Sequence, residues 1–398
     1  MLRIVLDGGW RKVRVREVVR SAGVSTASFY QHFANADECF ASVLDSAVGR
    51  LLGGIASDTS ARCGWRQAVR GTVEELLGRF GSDQEAAQVA LIDSFAAGPS
   101  TRKRVGITAT TLEGLLGECF LAAPDKVSVP RHLVAGMTGG LMRVLRTTVA
   151  AGRGAELPRL SGPLADWLLR LPDSEILTLP AVDPSPGARR ASADLLSQIR
   201  SDPADNRRRL QQTVIRLAAE NGLGNVKASE ARRDAGVSKR QFDQLFAGVD
   251  DCFLEGIDNL VESVAIEANR AVASNWTRKS HRSIATLCSY AADNRRLARV
   301  AFLEILTPGR DGLLRREQLI GRAATALQRT IPPEERPSLL TAEASVAAAW
   351  HVAQADVYAG RTRTLPSVAP LLSYLVLAPI VGAKPAVAAI RAEAAEPR

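Results

Sequence analysis

Between Asp205 and Gly222 the chain sets Leu210, Val214, Leu217 and Ala218 at i, i+4, i+7 and i+8, the apolar stripe of an amphipathic helix with one face to a core and the other to water. Gly222 closes it. Two short helical segments, 15–22 and 228–235, each run into Gly-Val-Ser, and a second short helix is predicted after each, over 26–33 and 239–246. Gly23 and Gly236 supply the left-handed residue that a tight turn needs. Ser25 and Ser238 stand where a hydroxyl caps the following helix, Ser238 with Gln241 three residues on as a capping box. Val24, Phe29 and Phe33 are expected to point inward. Helices so short are unstable alone and must be held by neighbours, which leaves an outer face free to enter a DNA major groove. Further on, 133–150 and 342–359 read as helices rich in small residues, each followed by a proline and another apolar helix, 164–171 and 368–377.

The pattern repeats because the sequence does. Residues 9–40 align without gaps on 222–253, with about 15 of 32 positions identical, far above the roughly one in sixteen that composition gives. Trp65 then aligns with Trp276, 89–98 with 300–309, and Gly152 with Gly360. Two units are expected, separated by a linker rich in proline and serine whose helicity resumes near residue 188. The helix of 205–222 has no full counterpart in the first unit, so either that unit has a stunted opening helix or Met1 is a late start. The expected domains are 1–44, 45–171, a linker over 172–204, 205–257 and 258–385.

Composition narrows the class. Hydrophobic residues make up 46% of the 398 and charged residues 23%, enough for cores and too apolar for disorder. Aromatics reach only 5%, which favours helix over strand. Lys plus Arg number 51 against 42 Asp plus Glu, a formal charge of +9, which suits a polyanionic partner. Five cysteines stand far apart without a CxxC pair, giving neither a disulfide framework nor a metal site and fitting a reducing compartment. No secretory signal opens the chain. The longest apolar run, 371–383, holds Pro379 and falls short of the roughly 20 residues of a bilayer span. A cytoplasmic protein with no membrane partner is expected. The four histidines are scattered and no HExxH, GxSxG, phosphate loop or dinucleotide fingerprint is present, so neither an enzyme nor a cofactor is expected.

The segment AGVSTASFYQHF, 22–33, resembles the signature of the tetracycline-repressor (TetR) family of bacterial regulators. The resemblance implies an all-α fold of two tandem units, each a helix-turn-helix DNA-binding domain followed by a helical ligand-binding and dimerisation domain. It makes Tyr30 a phosphate contact and Thr26, Ala27, Gln31 and His32 the residues facing the groove, with Arg14, Arg16 and Ser25 as further DNA-binding candidates. Glutamine can pair bidentately with adenine, and hydroxyls reach phosphates or base edges. Residues 9–33 carry five basic residues, Arg11, Lys12, Arg14, Arg16 and Arg20, against one acid, Glu17. Such a patch favours DNA, although a solvated helix face has the same composition.

The second copy departs from the signature. Asp243 replaces the tyrosine, Leu245 the histidine, and Arg232 stands where the family keeps a small residue. A carboxylate at that place repels phosphate. Lys239, Arg240 and Gln244 could still hold phosphate or bases, so this head is either retuned or degenerate. Ala36 and Val249 occupy a place where the family often has lysine. Phe95, Met137, Phe302 and Trp350 are the ligand-binding candidates of the two bodies, with ordinary core packing as the competing reading. Cys39 and Cys252 occupy equivalent places and read as small buried thiols.

The expected partners are a double-stranded DNA operator and a small-molecule effector. The two units are expected to pair within one chain as a pseudo-dimer, or between chains as a homodimer. The function expected is a ligand-released repressor on an asymmetric operator, the alternative being a ligand-sensing or partner-binding protein whose second DNA-binding head is lost.

Overall fold

The computed structural model describes residues 13–55, 64–95, 99–121, 128–173, 176, 179, 205–270 and 273–395. Among them stand 18 α-helices and no strand, the all-α class that composition and resemblance predict. Arg11, Lys12 and Cys63 lie outside the described residues, as does most of the expected linker. The chain divides into two compact units, Met1–Pro172 and Asp173–Arg398.

The first unit opens with α1 (Val15–Ala22), α2 (Thr26–His32) and α3 (Ala36–Leu52). It continues through α4 (Trp65–Ser82), α5 (Gln84–Leu91), α6 (Pro99–Leu121), α7 (Arg131–Ala150) and α8 (Ser161–Leu169). Helix α3 serves both halves of the unit: Phe40, Ala41, Leu44 and Ala47 are fully buried, and the helix packs on α5 and α6. Polar ties reinforce that contact. Arg104 on α6 bonds Asp45 at 2.8 Å, Thr101 donates to Asp37 at 3.0 Å, and Arg50 meets Asp83, the N-cap of α5, at 2.8 Å.

The second unit starts with the predicted amphipathic helix, α9 (Asn206–Asn221), followed by α10 (Ala228–Ala235), α11 (Lys239–Leu245) and α12 (Val249–Asn269). Leu210, Val214, Leu217 and Ala218 are all buried, and Gly222 ends the helix at φ 80°. One core joins α9, α10, α11 and α12 to Val300, Ile305 and Leu319 of the body, so head and body of this unit share an apolar centre. The body comprises α13 (Trp276–Asp293), α14 (Arg295–Phe302), α15 (Arg310–Thr330), α16 (Leu339–Tyr358), α17 (Leu365–Val381) and α18 (Ala383–Ala395).

Two expectations change. Val24 is 46% exposed, not inward, whereas its counterpart Val237 is buried. The reason is α9, whose Leu210 and Val214 share a cluster with Val237; no helix among the described residues of the first head does the same. The apolar stretch near the carboxyl end is also longer than the run of 371–383. The 20-residue helical stretch Thr362–Val381 holds an 18-residue window of mean hydropathy 1.7, long and apolar enough to cross a membrane. Here 67% of that window is buried inside the protein, where α17 packs on α13, α16 and α18 and Ser373 meets the buried His281 at 2.7 Å.

Candidate nucleic-acid interface

In the first head, α1 ends at Gly23, whose φ of 68° and ψ of 28° turn the chain through the left-handed region. The Val24 amide reaches back to the Val19 carbonyl at 3.1 Å, satisfying one of the helix's last acceptors. Ser25 then caps α2 by accepting from the Ser28 amide at 3.0 Å. Helix α2 is anchored by its inner edge. Phe29 is buried, packs on Phe33 with ring centroids 5.5 Å apart, and meets the edge of Tyr30 at 5.4 Å. Phe33 itself is the half-buried C-cap, so the helix stops one residue short of the expected 26–33.

The outer edge carries Thr26, Ala27, Tyr30, Gln31 and His32, all exposed, with Tyr30 at 55%. These are five of the predicted DNA-facing residues, and they lie on one seven-residue helix. Arg14 and Arg16, also exposed, stand at the start of α1, where Arg14 donates to the Val13 carbonyl at 3.1 Å. A rigid turn, an uncluttered polar edge and flanking guanidiniums can dock on phosphates and present side chains to base edges.

The second head repeats this geometry with different chemistry. Gly236 adopts φ 62° and ψ 38°. Ser238 and Gln241 form the predicted capping box, each bonding the other's backbone amide. Phe242 and Phe246 pack 5.9 Å apart. Lys239, Arg240, Asp243 and Gln244 are exposed. Asp243 therefore sits on the outer edge of α11, while Leu245 is half-buried and contributes to the core. Arg232 folds back on its own helix, its Nε donating to the Ala228 carbonyl at 3.2 Å.

Several residues that position these helices escaped the sequence reading. Glu38 accepts from the Ala34 amide at 2.6 Å, and Asp251 accepts from the Ala247 amide at 3.0 Å. An acid thus fastens the turn after each second helix, and its recurrence at the repeat offset is the signal that could have revealed it. Arg207 holds the end of α11: it donates to the Leu245 carbonyl at 3.1 Å, pairs with Glu255 at 2.5 Å and lies over the Phe246 ring at 4.8 Å. Arg216 ties α9 to α10 through Asp234 at 2.8 Å. Arg207 has no counterpart at the repeat offset, and although Arg216 falls on Arg3, its partner Asp234 falls on Ser21, so the ion pair itself does not repeat.

The body residues fall into two sets. Phe95 is buried beneath the Arg146 guanidinium, 5.4 Å from its ring centroid, and Met137 is fully buried on α7. Phe302 and Trp350 pack together at 4.7 Å. The buried Trp350 Nε1 and Tyr290 hydroxyl have no hydrogen-bond partner, and burial pushes the Tyr290 phenol up to about 12. Cys39 and Cys252 are both buried. Desolvation raises the Cys39 thiol and pushes the Cys252 thiol up to about 12. Among the described residues no group of three or more His, Cys, Asp or Glu could hold a metal ion.

Comparison with known proteins bears on the first head. No curated protein matches the chain. Residues 2–43, which span α1, α2 and the start of α3, match the family model described as "Bacterial regulatory proteins, tetR family". The likeness to that family is carried by the amino-terminal helix-turn-helix, within which the match falls on α1, α2 and the start of α3.

Proposed function

We propose that this protein is a cytoplasmic repressor built of two tandem TetR-like units, which pair within one chain on an asymmetric operator and leave it when a small molecule binds a body. The observation that carries the reading is the outer edge of α2: Thr26, Ala27, Tyr30, Gln31 and His32 are exposed together on a capped helix inside the matched domain. The second helix-turn-helix supports a tandem arrangement, because α10 and α11 have the same lengths as α1 and α2, eight and seven residues.

Pairing within the chain draws on the sequence. Gly136, Gly139 and Gly140 on α7, and Ala344, Ala347 and Ala348 on α16, would allow close helix approach. A linker of about 30 residues covers roughly 30 Å as a coil and more when extended. Release would be a population shift: ligand would favour a conformation in which the heads no longer match major-groove faces about 34 Å apart. Catalysis forms no part of this reading.

A second reading has its own observation, the exposed Asp243 on α11. A carboxylate there opposes phosphate, and a protein whose second head has lost DNA would serve as a ligand sensor or partner-binding module. Selection of genomic fragments by the purified protein at near-physiological salt decides between them. Enrichment of a defined site is expected. Retention without sequence preference, abolished by modest salt, would overturn the repressor and favour the sensor.

A further inference from the structure

The second unit contains a cleft that none of the four predicted ligand residues lines. It has a volume of about 1110 Å³ and lies between α9 of the head, α12, and the start of α14 in the body. That is slightly above the roughly 300–1000 Å³ usual for small-molecule sites. Its floor is apolar, formed by Ile215 and Ala219 on α9, Leu260 on α12 and Leu297 on α14.

The rim is dominated by guanidinium groups. Five arginines line the cleft against three carboxylates, Glu220, Glu262 and Asp293. Arg216 and Glu220 satisfy each other at 3.0 Å. The remaining arginines are loosely held or unpaired. Arg208 reaches Asp205 only at 3.6 Å, and Arg299 reaches Glu304 only at 3.4 Å, both longer than the roughly 2.7–2.9 Å of a charge-assisted hydrogen bond. Arg295 and Arg296 are exposed and have no ion pair among the described residues. Three of these guanidiniums, Arg295, Arg296 and Arg299, come from one helix, and residues four apart on a helix share a face.

We propose that this cleft binds an amphipathic organic anion, its acidic group taken by Arg295, Arg296 and Arg299 and its apolar part laid on Ile215, Ala219, Leu260 and Leu297. Planar guanidinium forks match carboxylate, sulfonate and phosphate oxygens in pairs, which a lysine ammonium does not. The cleft has one wall in the head and one in the body. An occupant would therefore bias the angle between them, making the cleft an effector site separate from the interior of the body. That regulatory consequence rests on the repressor reading; the binding itself does not.

The test uses the full chain without DNA. The probe is 8-anilinonaphthalene-1-sulfonate, an amphipathic anion, and the comparison is N-phenyl-1-naphthylamine, the same rings without the sulfonate. The sulfonate is expected to bind saturably, one per chain. The double substitution Arg295→Ala, Arg296→Ala is expected to weaken it by about tenfold or more, the loss that follows from removing charge-assisted bonds. It should leave the neutral analogue and the circular dichroism spectrum unchanged, because both side chains are exposed and unpaired. Equal sulfonate affinity in the two proteins would overturn the site, as would binding that never saturates or equal losses for both probes. Genomic selection is read separately, so a protein that binds the probe but enriches no DNA site would sink the repressor reading and leave the cleft standing.

Discussion

Tyr30 and Asp243 occupy the same position of two otherwise similar helices, and both are exposed. One carries a hydroxyl and the other a negative charge. Tyr30→Phe, which keeps the edge contact with Phe29, is expected to lose about 1 kcal/mol of DNA affinity, roughly fivefold, evenly across sequences. Asp243→Ala should leave affinity unchanged or raise it. Filter binding at fixed salt would check both, and equal losses would contradict a dominant first head. Cysteine chemistry gives a second expectation at this scale. With thiols near 12, held there chiefly by burial, Cys252 and Cys288 have about one thiolate in ten thousand molecules at pH 8. Iodoacetamide at that pH should spare both in the native protein and modify both in guanidinium, as mass spectrometry of peptides would show. Rapid native alkylation of Cys252 would mean that α12 opens readily. The equivalence of Cys39 and Cys252 was legible in the sequence, because register alone assigns it. Their burial was legible too, as small apolar thiols; the residues that cover them were not, since those come from other elements of the fold.

At the scale of elements, the turns were the most legible part. Gly23 and Gly236 both take positive φ, and the Ser238–Gln241 box forms as predicted, because cap and turn chemistry acts over three or four residues. Interactions across 80 residues were invisible. Glu304, buried in the turn after α14, accepts the Leu223 amide at 3.0 Å and the Thr307 hydroxyl at 3.2 Å. It fastens the loop after α9 to the body. Glu304→Ala would leave the buried Leu223 amide without its acceptor and should cost about 1–3 kcal/mol of stability. Glu304→Gln, which retains a carbonyl oxygen, should cost less. Urea denaturation would measure the difference, and faster hydrogen exchange at Leu223 in Glu304→Ala would assign it to this contact. Val24 shows the opposite limit of local reasoning. Its spacing matched an inward face, yet it is exposed where Val237 is not, because α9 covers the second motif.

For the whole molecule, the proposed intrachain pairing makes a prediction about mass and one about DNA. Light scattering of the purified chain should give a particle near 42.5 kDa, and a protected operator should have two unlike halves, since α2 and α11 present different residues. An obligate dimer, or a footprint of two identical inverted half-sites, would refute intrachain pairing on an asymmetric site. The two measurements are independent: mass reports the pairing of the bodies, and symmetry reports what the heads read.

The sequence by itself determined the helical class, the duplicated motif and the residues on its outer edge. Those features follow from periodicity, caps and turns, which are set by neighbours within a few positions. Only the tertiary structure decided that Val24 faces water, that Arg207 and Glu304 fasten the second head, and that the long apolar helix α17 lies in a core. It also decided that arginines on α14 line a cleft with α9. Each of these depends on surfaces brought together from distant parts of the chain, and hydrophobic burial and charge pairing act through space, with no regard for separation along the sequence.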